Sequence, residues 1–131
     1  MKKLLVASGA LAQDNPIQLN ITHYRGNSLD IDIQVNDLST NRIFDFTEYD
    51  SARLHVKRSI ADALPSLVFD SAITPADFVL GATKITLAKT GAEMEAIAAE
   101  SYTYDLKLFK ISGEAFTILK GKFSIVERVT V

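Results

Sequence analysis

Hydrophobic and polar residues alternate along most of this chain, and the alternation is strictest near its end. Tyr102, Tyr104, Leu106 and Leu108 share one side of a strand; Ser112-Gly113-Glu114 supplies a polar reversal; Phe116 and Ile118 resume the apolar side. Two long strands around one turn predict a hairpin with a buried and a wet face. Upstream, Ile17, Leu19 and Ile21 predict a first strand, and Leu29, Ile31, Ile33 and Val35 predict a second, with Asp30, Asp32 and Gln34 on its wet side. Ala52, Leu54 and Val56 alternate with Arg53, His55 and Lys57 to predict a third strand. Leu67-Val68-Phe69 and Lys84 to Ala88 read as further strands. The chain is thus all-β, of the kind that stacks two sheets into a sandwich.

Helical signals are few. Thr90-Gly91-Ala92-Glu93 is a capping box, followed by Met94, Ile97 and Ala98 at helical spacing, which predicts a short crossover helix over about residues 91–99. Thr74-Pro75-Ala76-Asp77 has an N-cap residue and a first-position proline, so one helical turn is expected there. Ser59-Ile60-Ala61-Asp62 predicts another before Pro65. Ile118 and Phe123 are an odd number of residues apart, so a bulge or bend near Gly121 is expected if both are buried.

The first residues, MKKLLVASGALAQ, pair two lysines with an apolar stretch and a small-x-small triplet, which resembles a secretory signal. The apolar run is short and interrupted by Ser8 and Gly9, and it falls well below the about 20 apolar residues of a membrane span. We read residues 1–16 as an N-terminal arm and 17–131 as one sandwich domain, with Leu4, Leu5 and Val6 of the arm engaging a neighbouring subunit.

Composition narrows the chemistry. A length of 131 residues suits a single domain, and without cysteine its stability comes from packing and sheet hydrogen bonds. The formal net charge of −2 offers no general attraction to nucleic acid, which is not expected as a partner, and no membrane is expected either. His23 and His55 stand apart from each other and from any zinc template, and no nucleophile elbow or phosphate-binding glycine loop is present. Asp30, Asp32, Asp37, Asp45, Glu48 and Asp50 lack the spacing of a calcium loop. No catalytic residue, cofactor or metal is expected. Phe44, Phe46 and Tyr49, in an acidic loop, either cap an open end of the sandwich or form an interface. Tyr104, in a late strand after a crossover, matches the position of a tyrosine corner, whose hydroxyl ties down a connecting segment.

Several segments together resemble a known family. They are Tyr24-Arg25-Gly26-Asn27 opening a strand, Ser51 to Arg58 as the next, Lys84-Ile85-Thr86-Leu87 before the helix, and the closing hairpin, Tyr102 to Leu108 and Thr117 to Ile125, with Gly121 as its strand glycine. Over roughly residues 20–131 the chain resembles the immunoglobulin-like β-sandwich domains of tailed-phage tail-fibre and baseplate upper proteins, of the N-terminal domain type. The resemblance implies an immunoglobulin-like antiparallel β-sandwich. It also implies a virion structural protein of tail, baseplate, fibre adaptor or capsid, assembled in the host cytoplasm. Such a protein is a non-catalytic scaffold whose partners are other virion proteins or copies of itself, a homo-oligomer in the particle. The alternative from the N-terminal pattern is an exported bacterial binding module, possibly for glycans, with a cleavable signal peptide.

Overall fold

The computed structural model describes residues 3–11, 16–59, 62 and 64–127. In chain order the elements are β1 (Lys3–Gly9), β2 (Ile17–Gln18), β3 (Ile21–Tyr24), β4 (Leu29–Asp37), β5 (Arg42–Ile43), β6 (Ser51–Lys57), β7 (Leu67–Asp70), β8 (Phe78–Leu80), β9 (Ile85–Lys89), α1 (Gly91–Glu95), β10 (Ser101–Phe109) and β11 (Ala115–Val126). One sheet runs β1-β4-β9-β8, with β5 pairing the far end of β4; the other runs β2-β11-β10-β6-β7, with β3 also on β11. The orders β4-β9-β8 and β11-β10-β6-β7 are those of the B-E-D and G-F-C-C′ strands of an immunoglobulin-like sandwich.

The alternation places the core. Leu29, Ile31, Ile33 and Val35 of β4 face Ala52, Leu54 and Val56 of β6 and Tyr102, Tyr104, Leu106 and Leu108 of β10 across the interior, all nearly inaccessible. Phe46, Phe69, Phe78, Phe123 and Met94 fill the remaining volume. Each such side chain contributes roughly 1.5–3 kcal/mol through burial.

Several expectations are revised. The segment read as an arm is built into the domain: Lys3–Gly9 forms β1, parallel to β4 with Leu5 opposite Ile33, and Ala7 lies in the core at 2% exposure. The sheets are mixed rather than purely antiparallel, because β1 runs parallel to β4, and β2 and β3 run parallel to β11. The first predicted strand is two pieces, since the Leu19 carbonyl turns toward Tyr104 and the Asn20 side chain accepts from the Lys122 backbone N–H (3.1 Å). The helix stops at Glu95 rather than Ala99. Its capping box forms as expected, but Ile97 closes on Met94 with a tighter bond and the Tyr102 hydroxyl holds the Ala98 carbonyl at 2.7 Å, directing the chain into β10. Thr74 to Asp77 makes a turn closed by Asp77 N–H donating to the Thr74 carbonyl (2.9 Å), not a helix. The bulge falls at Ile118: Leu106 pairs with Leu119 and Lys107 with Thr117, leaving Ile118 as the extra residue, and Ile118 and Phe123 are both buried. At the expected turn the Asp62 N–H donates to the Ser59 carbonyl at 3.0 Å, while Ile60 and Ala61, the residues before Lys3 and part of the arm lie outside the described residues.

Candidate functional site: a cationic concave face

The outward face of the β11-β10-β6 sheet is the most distinctive surface of the molecule. Strand pairing lines up three rows across it: Lys57–Thr103–Lys122, His55–Asp105–Lys120 and Arg53–Lys107–Thr117. Gln18 of β2 extends the middle row beside Lys120. These residues, with Tyr104 and Gly121 beneath, line a concavity of about 620 Å³. Five cations, Arg53, Lys57, Lys107, Lys120 and Lys122, surround a single carboxylate, Asp105, on a chain of net charge −2.

Three cations elsewhere in the domain are paired with carboxylates. Lys89 lies 2.6 Å from Asp77, Arg58 2.8 Å from Glu100 and Arg25 3.1 Å from Glu127. Among the described residues, none of the five cations on the concave face has a carboxylate within ion-pair distance. Arg53 is steadied by the Phe109 ring, 5.1 Å from its guanidinium carbon. Partial burial, reinforced by Arg53 and Lys57 and opposed by Asp105, holds the His55 imidazole below its ordinary value and favours its neutral form. The face therefore combines fixed positive charge with neutral and acidic hydrogen-bonding groups.

The residues singled out from the sequence are dispersed. Leu4 and Val6 point outward from β1 at 51% and 45% exposure, while Leu5 packs against the core. Phe46 is 1% exposed and is a core plug, which removes it as an interface residue. Phe44 and Tyr49 are half-buried against it: Phe44 lies 5.1 Å from Phe46 and 5.8 Å from Tyr49, and Tyr49 meets Phe116 edge-on at 6.2 Å. This cluster closes one end of the sandwich, with Lys110 over the Tyr49 and Phe116 rings. Tyr104 donates its hydroxyl to the Leu19 carbonyl at 2.6 Å, and Gly121 sits opposite it in the hairpin.

Two of the acids, Asp37 and Asp45, accept hydrogen bonds from the turns that follow them, and Asp37 also holds the end of β1's segment. The Asp37 carboxylate accepts from Ser39 and Leu11, and that of Asp45 from the Thr47 hydroxyl and N–H, which holds both carboxyls below their ordinary value. His23 meets the Asn27 carbonyl at 2.7 Å across its turn. Among the described residues no group of three or more histidine, cysteine or acidic side chains is arranged to hold a metal ion, and no helix is long and apolar enough to cross a membrane.

The concave face escaped the sequence reading because net charge averages over the chain. Its signal was present as cations on the wet positions of three separate strands, but only the pairing register stacks those positions into one surface.

No protein-family model and no curated protein matches the sequence. Among solved structures, the chain is similar to fibronectin(III)-like modules of CbhA from Clostridium thermocellum, with 9% identity, 84% of this chain and 90% of that chain covered, and a TM-score of 0.41. It is similar to a chain in a structure concerning T cell specificity and activation by the bacterial superantigen toxic shock syndrome toxin-1, with 12% identity, coverage of 82% and 92%, and a TM-score of 0.47. It is also similar to the extracellular domains 3–5 of Drosophila OTK, with 13% identity, coverage of 88% and 37%, and a TM-score of 0.36. At these identities the likeness concerns the fold alone.

Proposed function

We propose that this chain is a bacteriophage virion structural protein of the tail, baseplate, fibre adaptor or capsid surface, acting as a non-catalytic assembly scaffold. The observation that supports this reading is β1. It is an edge strand added beside β4, and it turns Leu4 and Val6 outward on a sandwich that resembles phage modules through its closing hairpin. Exposed edges are templates for pairing with another chain, and apolar side chains beside such an edge add area to the contact. Neighbouring virion subunits or further copies of this chain are the partners it fits.

The test is a Leu4→Asp, Val6→Asp double variant. Both side chains are exposed, so its thermal unfolding is expected to stay close to that of the parent, while its incorporation into particles is lost. Normal incorporation of a stably folded double variant would overturn the role given to this strand.

A further inference from the structure

We propose that the concave face of the β11-β10-β6 sheet is a binding site for an acidic oligosaccharide, with Lys57, Lys107, Lys120 and Lys122 holding its carboxylates and Asp105, Thr103, Thr117 and Gln18 meeting its hydroxyls. This stands apart from the virion reading and holds or fails independently of it.

The size is that of a ligand site: about 620 Å³ lies within the roughly 300–1,000 Å³ usual for small-ligand pockets. The charge is local and available, since these lysines have no carboxylate partner among the described residues. Spacing gives the ligand its character. Adjacent strands lie about 4.7–4.9 Å apart, so Lys57 and Lys122 are anchored about 9.5 Å apart with Thr103 midway between them. In the next row Asp105 is midway between His55 and Lys120. A ligand crossing the strands along the first row therefore meets cation, hydroxyl and cation in turn, and along the second it meets the neutral His55 imidazole, the Asp105 carboxylate and the Lys120 cation. Sugar rings bearing carboxylates and hydroxyls supply that alternation.

Asp105 separates this ligand from a simple polyanion. A carboxylate at the centre of the face repels every anion, but strong charge-assisted hydrogen bonds from a ligand's hydroxyl groups offset that repulsion, and a phosphodiester backbone has no such donors. Tyr104, the one tyrosine, phenylalanine or tryptophan lining the concavity, is 4% exposed and turned into the core, so the only ring at its surface is the small imidazole of His55, and no broad aromatic face is offered to stack a neutral sugar or a nucleobase. Recognition falls to charge and hydrogen bonds.

The experiment is an NMR-detected titration of the full chain with hexagalacturonate, with neutral cellohexaose and with a single-stranded oligothymidylate of matched charge. Hexagalacturonate is expected to shift resonances of Arg53 to Lys57, Thr103 to Lys107 and Thr117 to Lys122, and to bind more weakly as salt rises. Lys120→Glu should weaken it about tenfold or more. If that variant loses spectral dispersion, Lys107→Gln, with a severalfold loss, takes its place. Asp105→Ala should also weaken hexagalacturonate while tightening oligothymidylate. Absence of shifts with hexagalacturonate, equal binding of cellohexaose, or tighter binding of both anions by Asp105→Ala would each overturn the proposal.

Discussion

The Tyr104 hydroxyl and the Leu19 carbonyl are joined by a 2.6 Å hydrogen bond that links the centre of β10 to the break between β2 and β3. Gly121 stands against the same carbonyl, and a Cβ there would overlap its oxygen. Tyr104→Phe leaves a part-buried acceptor without this donor and should cost about 1–3 kcal/mol. Gly121→Ala drives the backbones apart and should cost about as much or more. Because both act on one carbonyl, their effects should fall short of additive, which urea denaturation of the two single variants and the double variant checks.

The capping box of α1 joins Thr90 and Glu93 reciprocally at 3.1 Å. Thr90→Ala should cost about 1 kcal/mol in chemical denaturation. The Thr90 N–H, chiefly, holds the Glu93 carboxyl below its ordinary value of 4.5. With the folded value depressed, its contribution is present above the unfolded value and lost as pH falls through the folded one. The stability gap between the parent and Glu93→Gln should therefore close on acidification below about pH 4.

His55 is depressed in the folded state, chiefly by burial, so the unfolded chain takes up its proton first as pH falls. Its contribution is complete above the unfolded value of 6.5 and declines as pH drops through and below it. His55→Gln should flatten this part of the stability profile. NMR titration of the imidazole should give a midpoint below 6.5, raised by Lys57→Gln and lowered further by Asp105→Asn.

Whether Lys3–Gly9 belongs to the domain can be read from two substitutions. Ala7 is 2% exposed between the sheets, so Ala7→Glu should destabilise by at least about 2 kcal/mol. Leu4→Asp, on the outer face, should change stability by no more than about 0.5 kcal/mol. Equal and small effects in thermal melts would mean that β1 does not pack on the core.

The strands with a period of two were legible from the chain: β4, β6, β9, β10 and β11 each bury one face and wet the other. The capping box was equally plain, because Thr90 and Glu93 carry their geometry in local spacing. β1 was not, since Leu4, Leu5 and Val6 run together without alternation and its parallel partner, β4, is remote in sequence. The bulge was foreseen from the odd spacing of Ile118 and Phe123, but its place at Ile118 depends on the pairing of Leu106 with Leu119. The concave face was written in Arg53, Lys57, Lys107, Lys120 and Lys122, yet their proximity exists only once β6, β10 and β11 pair in register.

The central claim, a structural role in a virion, meets its most direct test in mass spectrometry of phage particles purified from cells expressing this chain. The account predicts its peptides in intact particles at a stoichiometry matching a symmetric ring or array. Particles free of those peptides, with the chain recovered only outside them, would contradict it.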